Sequence, residues 1–359
     1  MSLPSDDLVV LRREGLYCPD GDFYIDPWRP VERAIITHAH ADHARGGHAH
    51  YLAAAPGERV LRARLGPIAL DTLEYREPVV HNGVRVTLYP AGHVLGSSQV
   101  RLEARGQTWV ASGDYKTAGH DMGPKEQDAT CEPFEAVACD VFITESTFGL
   151  PIYRWPRQSV LMADINAWWA ANANEGRASV LFCYAFGKAQ RVISALDTGI
   201  GTIVCHGAVQ TLNAAYRESG VGLPATHLVT ETAPSDLARA IVIAPPSAVS
   251  SPWLRRFGDY SDAFASGWMQ LRGARRRRAL DRGFVLSDHA DWPGLRWAIA
   301  ASGARRVIVT HGQVAPLVRA LIEDGIEAQA FETEYGDEED IDSDAATEDT
   351  SGQPVSSSA

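Results

Sequence analysis

Lysine is nearly absent from this 359-residue chain: Lys116, Lys125 and Lys188 are the only three among 33 basic side chains. The positive charge is therefore carried by arginine, a bias that owes part of its size to genomic composition. Cysteine is scarce too. The five residues Cys18, Cys131, Cys139, Cys183 and Cys205 form no C-x-x-C pair, which excludes a disulfide scaffold or zinc knuckle and predicts a reducing, cytoplasmic setting. No apolar run approaches the roughly 18 residues of a membrane span. The opening Met-Ser-Leu-Pro-Ser-Asp-Asp lacks the basic and apolar segments of a secretory signal, so a soluble protein without membrane contact is expected. Basic residues are missing altogether from Glu332 onward, where ten of the 45 acidic residues gather. Residues 1–331 carry 33 basic against 35 acidic side chains, so most of the formal charge of -12 belongs to the tail. A local basic groove is compatible with such a chain. A composition of 45% hydrophobic and 22% charged residues excludes collagen-like and wholly disordered classes. The length predicts two domains, or one core with an insertion.

Short β-branched runs bordered by turn residues recur in the first part of the chain: at 23–25, 34–36, 84–89, 99–102, 108–110 and 141–143. These predict strands. The texture changes near Pro151. A helix is expected over 158–172, then strand, Gly-containing turn and helix over 179–196, with further strands at 202–205 and 240–244, the pattern of a parallel α/β module. Strands return at 284–286 and 307–309 around a helix over 294–301. The expected organisation is a core from both chain ends, 1–150 and 271–332, interrupted by an insertion at 151–270. The tail over 333–359 is acidic, then serine-rich, and too poor in apolar residues to offset its ordering entropy, so it is expected to be disordered.

The densest chemistry follows the apolar run at 34–36: Thr37-His38-Ala39-His40-Ala41-Asp42-His43. Four potential ligands within six residues at a strand end can diverge in pairs, His38 and His40 toward one point and Asp42 and His43 toward another, which suits two metal ions. Neutral imidazole and carboxylate donors without thiolate predict Zn²⁺, with Mn²⁺ as the alternative. His48 and His50 read as surface helix residues.

His-x-His-x-Asp-His after a strand resembles the metallo-β-lactamase superfamily. Its further motifs appear in order: His93 in Gly92-His93-Val94-Leu95-Gly96, Asp114 in Ser112-Gly113-Asp114-Tyr115, and His311 in Val309-Thr310-His311-Gly312. The resemblance implies an αββα sandwich. It further implies one metal on His38, His40, His93 and Asp114, and a second on Asp42, His43, Asp114 and His311, with water activated between the two ions as nucleophile.

Two more stretches, 140–149 around Glu145 and 182–191 around Lys188, resemble the β-CASP branch, whose members cut nucleic acids. They imply a β-CASP-like inserted α/β domain. They also imply that Glu145 orients His289, in Ser287-Asp288-His289-Ala290-Asp291, as general acid for the leaving group, so that Asp42, Glu145 and His289 form the catalytic set. Asp26-Pro27-Trp28-Arg29-Pro30 and Asp291-Trp292 resemble the bacterial ligase-associated DNA exonucleases, implying repair work linked to an ATP-dependent DNA ligase and a helicase. A histidine at position 311 is similar to the RNA-cutting members, so RNA stays open as the alternative substrate. A small-molecule esterase or thioesterase and a non-catalytic nucleic-acid binder are the remaining readings.

Beyond these motifs, Lys188 at a helix start can contact phosphate, and Arg275, Arg276, Arg277 and Arg278 can track a nucleic-acid backbone. Each competes with a plain reading as an exposed, solvated residue. Asp288 and Asp291 read as loop or cap residues, Ser97 and Ser98 as turn residues, and Trp253, Trp268, Trp292 and Trp297 as packing or base-stacking side chains.

Overall fold

The computed structural model describes residues 7–117, 128–271 and 280–335. The first six strands, β1 (Val10–Arg12), β2 (Gly15–Cys18), β3 (Phe23–Ile25), β4 (Arg33–Ile35), β5 (His50–Ala54) and β6 (Leu70–Leu73), form one sheet in sequential order. It is antiparallel at β1–β3 and parallel from β3 to β6. Helix α1 (Glu58–Leu65) crosses between β5 and β6. A second sheet begins with β7 (Pro78–His81), β8 (Val84–Pro90), β9 (Ser98–Ala104), β10 (Gln107–Ala111) and β11 (Val141–Ser146).

The chain then builds a third sheet from β12 (Ala178–Phe182), β13 (Ile203–Cys205), β14 (His227–Leu228), β15 (Ile241–Ala244), β16 (Tyr260–Ala265) and β17 (Arg282–Phe284), in the order β14-β13-β15-β12-β16-β17. Every pairing in it is parallel. Helix α2 (Gln158–Asn174) leads from β11 into this sheet, and α3 (Lys188–Ser194), α4 (Gly207–Glu218) and α5 (Pro234–Leu237) connect its strands. After α6 (Trp292–Ser302), strand β18 (Arg306–Gly312) returns to the second sheet beside β11. Helix α7 (Val314–Glu323) leads to the edge strand β19 (Glu327–Ala330).

The layers follow from alternation along buried strands. Ile308 of β18 points with Ile143, Leu88 and Val100 into the space between the first two sheets, where it meets Leu16, Ile25 and Ile35. Its neighbours Val307 and Val309 point the other way, onto Leu295, Ile299, Leu317 and Leu321 of α6 and α7. The outer face of the first sheet, with Ala34, Tyr51 and Ala53, is covered by Val60 and Leu61 of α1 and by Leu212, Ala215 and Tyr216 of α4. Two sheets face to face with a helical layer on each side are a mixed α/β architecture. A third, parallel sheet carries its own cores on both faces, as parallel sheets require.

Three differences from the expected elements have local reasons. The strand expected at 284–286 lies two residues earlier, at 282–284, and β17 pairs with β16 in the third sheet rather than in the first or second. His48 and His50 are not on a helix. His48 is buried before β5 and accepts the Val31 amide at 3.3 Å, and His50 opens β5, exposed, near Glu32. The first tail residues are packed rather than loose: Glu334 bonds Arg29 at 2.7 Å, and Tyr335 lies against Trp28 and His43. The rest of the tail, 336–359, lies outside the described residues. No helix among the described residues is long and apolar enough to cross a membrane.

Candidate metal centre

The expected ligands sit on loops that leave one edge of the two facing sheets. His38, His40, Asp42 and His43 follow β4, His93 follows β8, Asp114 follows β10, and His311 lies on β18 near its end. Long-range pairing of β8, β10 and β18 brings these loops together. Asp114 is the joint. One of its oxygens lies 3.5 Å from His38 Nε2, 3.8 Å from His93 Nε2 and 3.4 Å from His43 Nε2, and the other lies 3.1 Å from His311 Nε2. His40 Nδ1 lies 3.0 Å from His93 Nε2. His38, His40, His93 and Asp114 thus form one donor set, and His43, Asp114 and His311 a second, the ligand atoms of each set within 4.8 Å of one another. Asp42 joins the second set through an oxygen 3.4 Å from His43 Nε2.

The inward nitrogens are chosen by what holds the other side of each ring. Nδ1 faces Thr37 Oγ1 in His38 (3.1 Å), Asp26 in His43 (2.7 Å), the Asp288 carbonyl in His93 (2.9 Å) and Thr310 Oγ1 in His311 (3.2 Å). Such outer partners fix ring and tautomer and leave Nε2 for a metal. His40 is reversed, with Nε2 toward the Phe186 carbonyl. Gly113 makes the approach of the Asp114 loop feasible: it has φ +56°, and a Cβ there would meet the Thr37 side chain at 2.7 Å.

The electrostatics agree with ligation. Burial first, then neighbouring histidines, hold His38 and His40 well below the usual imidazole range and bring His93 down to about 4, so these three rings are neutral donors. On His43, burial opposes the charge, but Asp114, Asp42 and Asp26 outweigh it and raise the ring. Burial would raise Asp114, yet His43 and His311 hold it well below the usual carboxylate range. The fit to metal ions rests on a simpler fact. His38 Nε2, His43 Nε2, Asp42 Oδ1 and Asp114 Oδ1 are all buried without a hydrogen-bond partner, a costly state for polar atoms unless an ion completes them.

Glu145 and His289, 144 residues apart, form a second unit. His289 Nδ1 lies 2.9 Å and 3.1 Å from the two Glu145 oxygens and 4.0 Å from Asp114. Glu145 also accepts the Tyr115 amide at 2.8 Å and the Thr147 hydroxyl at 2.6 Å. A register shift between Thr144 and Ser146 in the β11–β18 pairing re-aims this side chain, as bulges beside active sites do. Burial opposes the charge on Glu145, but His289 lowers it below its ordinary value. The pair is a carboxylate-oriented imidazole at the rim of the two donor sets.

Three proteins are similar to this chain in sequence. One relative, a probable DNA ligase of Opitutus terrae, is 30% identical over 325 residues, covering 88% of this chain and 30% of its own length. The endoribonuclease YSH1 of Gibberella zeae is 32% identical over 133 residues, 36% of this chain and 14% of its own. The cleavage and polyadenylation specificity factor subunit 3 of Dictyostelium discoideum is 30% identical over 132 residues, 36% and 16%. The chain is homologous to the β-CASP nucleases of the metallo-β-lactamase superfamily. It spans less than a third of the length of each of these relatives. No family model matches it. Among solved structures, a protein of unknown function from Enterococcus faecalis V583 has a TM-score of 0.55 at 13% identity, over 85% of this chain and 80% of that one, a likeness of fold alone.

Not every expected β-CASP residue is where the sequence reading puts it. Lys188, expected to meet phosphate at a helix start, is fully buried, 3.9 Å from Asp288 and over the Tyr184 ring. Its short helix begins inside the molecule, so the position is internal. Arg275, Arg276, Arg277 and Arg278 lie outside the described residues. Asp291 does cap α6, accepting the Gly294 amide at 2.9 Å, but Asp288 is a buried ion-pair partner of Arg191. Ser97 Oγ accepts the His93 and Val94 amides, the turn role expected of it.

The sequence reading assigned no role to Asp26, Thr147, Arg191 or Tyr335. Asp26 lies within Asp26-Pro27-Trp28, a stretch quoted above only as a resemblance. Tyr335, the last described residue, stacks on His43 with ring centroids 4.5 Å apart and planes at 13°, and meets His311 edge-on at 5.4 Å.

Proposed function

We propose that this protein is a metal-dependent phosphodiesterase that trims DNA ends as an exonuclease, in step with a DNA ligase. The observation that carries the reading is the Glu145–His289 pair standing 4.0 Å from Asp114, the carboxylate shared by both donor sets. His38, His40, His93 and Asp114 would hold one divalent ion and Asp42, His43, Asp114 and His311 the other, Zn²⁺ or Mn²⁺ by donor type. Such ions supply Lewis acidity, polarising a phosphodiester and making water acidic enough to ionise near neutral pH.

The chain's own residues do the rest. Asp26, Thr37, Thr310 and the Asp288 carbonyl hold the histidine rings in place. His289, oriented through Nδ1 by Glu145, delivers a proton to the departing alkoxide of the cut strand. An alkoxide needs that proton. Thiolate or carboxylate leaving groups need it far less, which favours a phosphodiester over a thioester or activated ester substrate.

The ligase link draws on the Opitutus terrae relative, in which the region matching nearly all of this chain is part of a longer protein called a probable DNA ligase. The endoribonuclease relatives favour a second reading, RNA processing at the same site. The test is cleavage of matched end-labelled single-stranded DNA and RNA by wild type, Asp114→Ala and His289→Ala. Metal-dependent loss of DNA label in wild type, abolished in both variants, is expected. Cleavage of RNA alone moves the protein to the second reading, and cleavage of neither overturns both.

A further inference from the structure

We propose that Arg191, on the third-sheet helix α3, is a positioning residue that locks the general-acid loop of His289 to the metal-ligand loop of His93. The proposal rests on the phosphodiesterase reading above for its consequence, but its geometry stands apart from it. Arg191 is 1% exposed. One of its terminal nitrogens donates to the His93 carbonyl at 3.1 Å and the other to the Ser287 carbonyl at 3.4 Å. Its Nε lies 2.7 Å from the Asp128 carboxylate and 3.2 Å from that of Asp288. One guanidinium therefore touches the backbone of the ligand itself, the backbone two residues ahead of the acid, and the carboxylate between that residue and the acid.

The same two loops also meet directly, through His93 Nδ1 and the Asp288 carbonyl at 2.9 Å. Lys188, three residues before Arg191 on the same face of α3, adds a second cation 3.9 Å from Asp288. The helix start is seated tightly. Gly187 has φ +83°, and a Cβ there would lie 2.3 Å from Val94 Cγ1, beside His93. From the other side Lys116 donates to the Ser287 carbonyl at 2.5 Å.

The consequence is asymmetric. Both rings are held, His93 by the Asp288 carbonyl and His289 by Glu145, and the His93 backbone is also tied by its amide to Ser97 Oγ. The backbone of 287–289 owes its place to Arg191, Lys116 on the Ser287 carbonyl, the Trp155 indole on the His289 carbonyl and the Tyr115 carbonyl on the Ala290 amide. Loosening Arg191 moves the acid more than the ligand. A lysine at 191 keeps the charge that Asp128 and Asp288 require but loses the planar fork that reaches two carbonyls at once. A displacement near 1 Å costs about a hundredfold in a positioned proton transfer.

The experiment compares wild type and Arg191→Lys on two substrates and by hydrogen exchange. The first substrate is a DNA oligonucleotide, whose leaving alkoxide needs protonation; the second is the p-nitrophenyl ester of thymidine 5′-phosphate, whose phenolate does not. The expected result is a 10- to 100-fold loss of kcat on the oligonucleotide with less than about 3-fold loss on the aryl ester. Amides at 287–290 should exchange about tenfold faster while those of β11 are unchanged. Equal losses on both substrates, or unchanged exchange at 287–290, overturns the proposal.

If wild type cuts neither substrate, the phosphodiesterase reading fails, and the exchange arm still decides whether Arg191 holds the loop. Should Arg191→Lys fail to fold, Asp288→Asn removes one anchor of the guanidinium and leaves the carbonyl that serves His93. It is expected to show the same split at smaller size, and its absence there also overturns the proposal.

Discussion

Asp26→Asn is the sharpest probe of the metal centre, because it changes almost no volume and one kind of hydrogen bond. Asp26 is 1% exposed and accepts three bonds: from the Thr37 amide at 2.7 Å, the Thr37 hydroxyl at 2.5 Å and His43 Nδ1 at 2.7 Å. The bond to His43 requires the proton on Nδ1 and so leaves Nε2, 3.4 Å from both Asp42 and Asp114, as the donor to a metal. An asparagine keeps one acceptor oxygen, which the Thr37 amide and hydroxyl compete for, and turns an NH₂ toward the ring. Its best match is the opposite tautomer, with the proton on Nε2, where it blocks ligation. Loss of such an outer partner lowers metal affinity about 10- to 100-fold, or about 1.4 to 2.8 kcal/mol.

The loss falls on the set containing Asp42, His43 and His311, and it leaves His38, His40 and His93 with their own partners. Metal content by mass spectrometry after dialysis, and calorimetric titration with Zn²⁺ and Mn²⁺, should show one weakened site beside one of wild-type affinity. Two sites of wild-type affinity in Asp26→Asn would refute the reasoning, since the tautomer of His43 would then not depend on Asp26.

His289→Ala and Glu145→Gln should retain the metal content of wild type while kcat on DNA falls about 10²- to 10⁴-fold, and metal loss in either variant would place them among the ligands instead. Tyr335→Ala removes a ring stacked on His43 and should lower the melting temperature and weaken the second metal site, read by thermal unfolding with and without Zn²⁺; an unchanged holo-minus-apo difference would limit Tyr335 to packing. Burial, with Arg191 nearby, brings the Lys116 ammonium down to about 7. The unfolded chain, with lysine near 10.4, then binds one more proton between those values, so stability should rise with pH from about 7 to 10. Urea unfolding across that range should show the rise in wild type and a flatter profile in Lys116→Met, and identical profiles would contradict the assignment.

How much of this was legible in the chain depends on distance along it. His38, His40, Asp42 and His43 are neighbours in sequence, so spacing after a strand was enough to single them out. His93, Asp114 and His311 were picked out only through the resemblance, because a lone Gly-His or Gly-Asp is by itself ordinary turn chemistry, and it was their order along the chain that matched. The strands themselves were read to within a residue or two where β-branched residues alternate, as at 84–89 and 108–110. They were missed where the run is short or polar, as in β1, β6 and β19. Lys188 shows the limit: its place at a helix start was evident, but its burial was not, because what covers a helix start is set by another part of the chain.

The sequence by itself determined where candidate ligands cluster, as in His38, His40, Asp42 and His43 after a strand, since local spacing, strand ends and residue type act over a few residues and need no long-range partner. Only the tertiary structure decided which nitrogen of each histidine faces inward, which outer partner holds each ring, and which cation ties the two loops together. Those choices depend on pairs such as Asp26 with His43, Glu145 with His289 and Arg191 with His93, separated by 17, 144 and 98 residues. A hydrogen bond has no reach along the chain. It exists only once sheet pairing has brought its two ends within about 3 Å, and no residue type announces which distant loop it will meet.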